Sequence, residues 1–218
     1  MPEILNETEA RIVGALVEKQ LTTPEYYPLT LNALVTACNQ KNNREPVRSL
    51  DESTVTNALE ILRDRNIVYV FYGSNSRVPK YKHMLPSVYE IEPPELAVLD
   101  VMLLRGPQTL GELRSRTERL YGFSGLGEIQ ETLDSLARRD DPLVVKLEKM
   151  PGQKDARYAH LLSGAIDMEK VAAAAPRSAA LISAEPSRVE ALEGQVADLR
   201  SEIDQLKATF EEFRKQFE

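Results

Sequence analysis

The chain repeats itself. Pro28-Leu29-Thr30-Leu31-Asn32-Ala33-Leu34 follows the pattern P-x-T-L-x-x-L, and Pro107-Gln108-Thr109-Leu110-Gly111-Glu112-Leu113 follows it again. Lys80-Tyr81-Lys82-His83-Met84-Leu85 is echoed by Arg157-Tyr158-Ala159-His160-Leu161-Leu162. Two copies of one small unit constrain a chain of 218 residues more than any single motif, because one fold must accommodate both.

In the first copy Glu9, Ile12, Val13, Leu16 and Val17 recur at helical spacing and predict a helix over about 7–19. Pro24 and Pro28 hold the connector extended. Thr30 is placed to cap a second helix carrying Leu31, Leu34 and Val35, and Ser53 a third carrying Val55, Leu59 and Leu62. Ile67 to Tyr72 is β-branched and aromatic, hence a strand; Gly73 to Ser76 is a turn, and Val78 to Leu85 the returning strand.

The second copy keeps this order. Leu96, Val98, Leu99, Met102 and Leu103 mark its first helix. Thr109 with Glu112 forms a capping box for the second, and Ile129, Leu133 and Leu136 mark the third. Leu143 to Leu147, the Pro151-Gly152 turn and Ala156 to Leu162 make the hairpin. Three helices and a hairpin form the winged-helix pattern, a helix-turn-helix variant. The expected fold class is mainly α with small β hairpins (α+β). Winged-helix domains are predicted over 1–86 and 91–165, a flexible Ala/Ser/Pro linker over 166–187, and a coiled-coil helix over 188–218.

The offset between the copies is 86 residues at the first helix, 79 at the second, 74 at the third and 77 at the returning strand. The first copy is therefore longer around Tyr26-Tyr27 and around Gln40 to Leu50. In the last segment Val189, Leu192, Val196, Leu199, Ile203, Leu206, Phe210, Phe213 and Phe217 alternate by three and four. Val or Ile at a with Leu at d in its first half favours a parallel two-stranded coiled coil. In that register Arg188 meets Glu193 and Glu202 meets Lys207, so a homodimer is expected.

No apolar run approaches the roughly 18 residues that a membrane span needs. The N-terminus lacks the basic start and apolar stretch of a signal peptide, and the single cysteine fits a reducing cytoplasm. Two histidines and one cysteine are too few and too scattered for a zinc site. His83 and His160 read as packed structural residues and Cys38 as a small buried one. Gly122, Gly125 and Gly127 have the wrong order for a phosphate loop, and no nucleophile–base set or carboxylate pair stands out. The expected protein is not an enzyme and takes no cofactor or metal.

The net charge of −7 counts against uniform nucleic-acid binding, but it is not evenly spread. Residues 1–85 are neutral overall, 86–166 carry −3 and 167–218 carry −4. Copy one offers Lys41, Asn42, Arg44 and Arg48 before its third helix, with Ser53, Thr54 and Asn57 at its start. Arg63 and Arg65 lie at its end, and Arg77, Lys80 and Lys82 in the wing. These side chains suit phosphates and base edges. Asp51, Glu52 and Glu60 oppose them, and Glu128, Glu131 and Asp134 make copy two less suitable.

Ala37-Cys38-Asn39-Gln40-Lys41-Asn42-Asn43-Arg44-Glu45-Pro46-Val47 is a longer signature. With Glu18 to Glu25, Leu103 to Thr109 and Arg157 to Leu161, it resembles the bacterial YceH-like family over about residues 5–165. The resemblance implies tandem winged helices with no assigned activity and no catalytic residues to carry over. Two readings of the Gln40–Val47 stretch stay open at this point: a recognition surface shared with the third helix, or Asn39, Asn42 and Arg44 pinning the insertion internally. Correspondingly, the chain is expected to bind double-stranded DNA through copy one as a regulator, or to act as a non-enzymatic scaffold whose winged helices bind a protein.

Overall fold

In the computed structural model, which describes residues 4–72, 78–149, 153–164 and 166, each repeat becomes three long helices and a small antiparallel sheet. Asn6 caps α1 (Glu7–Thr22) in a capping box closed by Glu9. A 3-10 turn (Pro24–Tyr26) leads to β1 (Leu29–Thr30), α2 (Leu31–Cys38), α3 (Glu52–Asp64) and the hairpin β2 (Val68–Phe71) and β3 (Lys80–His83). The short α4 (Leu85–Tyr89) connects to α5 (Pro93–Arg105), β4 (Gln108–Thr109), α6 (Leu110–Thr117), α7 (Leu126–Ala137), β5 (Val144–Lys146) and β6 (Arg157–His160). The architecture is α+β and mainly helical.

The repeat is exact at the level of topology. The sheets run β1-β3-β2 and β4-β6-β5. Thr30 pairs with Lys80 and Thr109 with Arg157, so equivalent residues hold equivalent register. Both threonines are N-caps: Thr30 accepts from the Ala33 amide and Thr109 from the Glu112 amide. The third helix departs from expectation, because Asp51, not Ser53, caps it. Asp51 accepts from the Thr54 amide at 2.7 Å, and Ser53 donates to the same carboxylate. Leu85 leaves the strand to begin α4.

A further repeated device ties the end of each third helix to the start of its first. Arg65 donates to Glu9 and to the Ile4 carbonyl, both at 3.2 Å. Arg139 donates to Glu95 at 2.6 Å and to the Glu90 carbonyl at 3.1 Å. The 74-residue offset carries Arg65 onto Arg139, and the 86-residue offset carries Glu9 onto Glu95 and Ile4 onto Glu90. Each glutamate also closes its own capping box, so one carboxylate fixes both the helix start and the third helix.

The two repeats share one hydrophobic core and form a single unit over residues 1–166. Helices α1 and α5 pack along each other, buried from Glu9 to Glu18 and from Glu95 to Leu104. Gly14 permits the approach: a Cβ there would lie 2.8 Å from Leu104 Cδ2 and 3.2 Å from Leu103 Cβ. Arg77, the Gly73–Ser76 and Pro151-Gly152 turns, the linker beyond 166 and the seam Val189, Leu192, Val196, Leu199, Ile203, Leu206, Phe210, Phe213 and Phe217 lie outside the described residues. No helix among the described residues is long and apolar enough to cross a membrane.

His83 is buried, with Nε2 on Gln20 and its amide donating to the Tyr27 hydroxyl at 2.8 Å. The His160 residue keeps some exposure, but its Nδ1 is out of solvent and unpartnered. Burial, reinforced at His83 by Lys82, pushes both imidazoles down from 6.5 to about 4. The unfolded chain therefore takes up these protons at a higher pH than the folded one. Stability is full above about 6.5 and falls as the pH drops toward 4, by up to about 3 kcal/mol per ring. Urea midpoints measured at pH 7 and pH 4.5 are expected to show this fall, and His160→Phe to reduce it. A flat profile would contradict a buried neutral ring.

Candidate interaction surface

Copy one contributes two places where polar chemistry concentrates, the Gln40–Leu50 insertion and the hairpin. The insertion turns inward. Asn39 donates from Nδ2 to the Leu50 carbonyl at 2.8 Å and accepts from the Leu50 amide at 2.7 Å, closing the loop at its base. Arg44 is only 5 % exposed. Its guanidinium forks onto Glu18 at 3.1 and 2.6 Å, and reaches the Ala37 carbonyl and Gln40 Oε1. Burial alone raises the Glu18 carboxyl, but the hydrogen bonds and charge of Arg44, with Lys19, outweigh it and hold Glu18 below its ordinary range.

The loop is also tied to both first helices. Arg11 of α1 donates to the Pro46 carbonyl at 2.7 Å and to the Cys38 carbonyl at 3.2 Å. The Glu45 amide donates to the Leu104 carbonyl of α5 at 2.9 Å, and Arg105 donates to Asn43. This corrects the expectation for Arg44. Its cationic head is enclosed between helices, where a nucleic-acid phosphate has no access. Cys38 lies in the same wall, its thiol pushed up to about 12 by burial, which makes it unreactive.

The other predicted contacts separate. Lys41 and Asn42 are exposed and line a cleft with Glu18, Lys19 and Arg119. Arg48 is ion-paired with Glu7. Ser53 and Thr54 are held by the Asp51 cap, and Asn57 is exposed on α3. On the same helix Glu52, Glu60 and Asp64 are exposed, and Arg63 is paired with Asp64 at 3.0 Å. The outer face of α3 is thus mixed in charge.

The hairpin is different. Directly paired residues share a face of a sheet. Val68 opposite His83 and Val70 opposite Tyr81 form the inner face; Tyr69 opposite Lys82 and Phe71 opposite Lys80 form the outer one. Tyr69 is 54 % exposed, Phe71 43 % and the following Tyr72 67 %. The Lys82 ammonium lies 5.2 Å from the Tyr69 ring centre. Strand β2 ends its sheet and is paired only with β3 among the described residues.

Copy two does not present this face. Leu147 and Ala159, which fall where Phe71 and Lys82 lie, are buried. Arg157, the counterpart of Lys80, donates to Glu112 at 3.0 Å, whereas the position of Glu112 is occupied in copy one by Ala33. The aromatic pair escaped the sequence reading because tyrosine and phenylalanine also signal an ordinary strand. The alternation Val68, Tyr69, Val70, Phe71 was the available sign that two of the four point outward.

Comparison with known proteins places these features in context. A family model described as "Protein of unknown function, DUF480" matches residues 5–153. The chain is 48 % identical to a UPF0502 protein of Geobacter sulfurreducens, over the full length of both. It is 54 % identical to one of Citrifermentans bemidjiense over 79 % of this chain and 80 % of that protein. A UPF0502 protein of Vibrio atlanticus is 48 % identical over 97 % of this chain and 99 % of its own.

Proposed function

We propose, from the premise that this chain belongs to the DUF480 family of bacterial proteins of unknown function, that it is a non-enzymatic tandem winged-helix protein. Its first repeat docks a protein partner on the outer face of the hairpin. The observation that carries this reading is the exposed Tyr69–Phe71 pair bracketed by Lys80 and Lys82, present in one repeat and replaced in the other. Exposed aromatics surrounded by polar groups are the usual anchors of protein interfaces. The lysines select an acidic partner, and the end position of β2 suits an extended segment added as a further strand. The repeated strand order and capping support the winged-helix assignment, and the 188–218 heptads support self-association in parallel.

Exposed Ser53 and Asn57, with half-buried Lys80 and Lys82, favour the second reading, duplex DNA along α3 and the wing. It is the weaker one, because Arg44, Arg48 and Arg65 are engaged by carboxylates and acids share the α3 face. Mild crosslinking of the full chain in its cells, followed by identification of the adducts, separates the two. The expected adduct is one protein, lost in Tyr69→Ala/Phe71→Ala and weakened in Lys80→Glu/Lys82→Glu. Each aromatic is expected to contribute about 2 kcal/mol to binding. Recovery of DNA that is indifferent to the aromatic changes and sensitive to the lysines would overturn the protein reading.

A further inference from the structure

The crossing of α1 and α5 is built from equivalent positions, because the 86-residue offset carries Gly14 onto Asp100 and Glu18 onto Leu104. Half of the crossing is apolar: Gly14 against Leu104. The other half places Asp100 within electrostatic reach of Glu18. Asp100 is 1 % exposed and its Oδ1 has no hydrogen-bond partner. Such a group is costly to a fold, and the glycine at the matching position shows that the crossing does not require a carboxyl there. Burial first, then Glu18, push the Asp100 carboxyl well above its ordinary range, toward the protonated form that can donate.

Asp100 lines a cavity of about 380 Å³ between the two repeats. Arg105, Arg116 and Arg119 are in its wall; Glu18 there is already neutralised by Arg44, and Glu118 is exposed. A neighbouring cavity of about 290 Å³ shares Glu18, Thr22, Asn43 and Arg119 and adds Lys19 and Lys41. Arg105 is held below its usual range by burial and then by Arg116, which outweigh the opposing Glu45 and Glu18. Arg119 has no ion pair among the described residues.

We propose that this cavity binds a small organic anion, its carboxylate or phosphate meeting Arg105 and Arg119 and a hydroxyl on it meeting Asp100. The ligand touches α1 and the insertion on one side and α5 and α6 on the other, so its binding stabilises the packing of the two repeats. This site is separate from the hairpin surface and stands or falls independently of it.

The test is titration of the full chain with L-malate, sn-glycerol 3-phosphate and succinate, read by amide chemical shifts and by Tm. Malate or glycerol 3-phosphate is expected to saturate the α1–α5–α6 resonances and raise Tm. Whichever of the two saturates identifies the anionic head. Succinate, which lacks the hydroxyl, is expected to bind about tenfold more weakly than malate, as the loss of one hydrogen bond implies. Arg119→Ala, a change at an exposed position, is expected to weaken every ligand. Asp100→Ala, which leaves no group to bond the hydroxyl, is expected to remove the preference for malate over succinate. Saturation by neither hydroxylated anion, or binding unchanged in both variants, would overturn the proposal.

Discussion

Arg44→Ala is expected to lower the stability of the chain by about 3–5 kcal/mol, the range for removing one partner of a buried ion pair. A domain of this size has about 5–15 kcal/mol in total, so the loss removes a large share of it. The side chains of Arg44 and Glu18 are 0 % and 10 % exposed, and the salt bridge between them is 2.6 Å long. Without the guanidinium, the buried Glu18 keeps only the looser contact to Lys19 at 3.4 Å, and the Ala37 carbonyl loses its side-chain donor. Arg44→Lys retains the charge but not the fork, and should fall between. Glu18→Leu with Arg44→Leu should cost less than Arg44→Ala alone, because no charge is stranded. The urea midpoint at constant m-value measures all three. A surface contact would behave otherwise, with a change within about 0.5 kcal/mol for Arg44→Ala.

The second large effect is expected at Gly14. Gly14→Val inserts branched carbons where even a Cβ would approach Leu104 to 2.8 Å and Leu103 to 3.2 Å. Overpacking of this kind costs about 1–3 kcal/mol, and the helix-to-helix contact at this crossing places the change at the upper end. Gly14→Ala should be milder, because alanine gains about 1 kcal/mol of helix propensity and the Leu104 side chain can rotate away. Leu104→Ala combined with Gly14→Val should recover part of the loss if the clash is the cause. An unchanged urea midpoint for Gly14→Val would mean that α1 and α5 do not meet there.

The elements of this fold were legible where a period ran long enough. The helices, the hairpins and the threonine caps follow from spacing, and the repeat aligned them. β1 and β4 have two residues each, too few for any alternation to show. Asp51 displaced Ser53 as the cap because both can accept from the first turn, and only geometry chooses between them. Arg44 stayed open between recognition surface and internal pin because its partner, Glu18, lies 26 residues away. The repeat did contain the sign: Glu18 aligns with Leu104, a carboxylate at a core position, and Asp100 aligns with Gly14. A charge where the sister copy is apolar implies a buried partner or a ligand. The same comparison picks out Phe71 and Lys80, whose counterparts in copy two are buried or engaged.

The proposed function makes the repeated parts scaffold and the outer hairpin face of copy one the working surface. Its most direct test places a photo-crosslinking side chain at Tyr69 in one full-length variant and at Val145, the matched position in copy two, in another. Irradiation in cells is predicted to give one defined protein adduct from position 69, abolished by Phe71→Ala, and none from position 145. Equal adducts from both positions, or nucleic acid recovered from position 69, would contradict it.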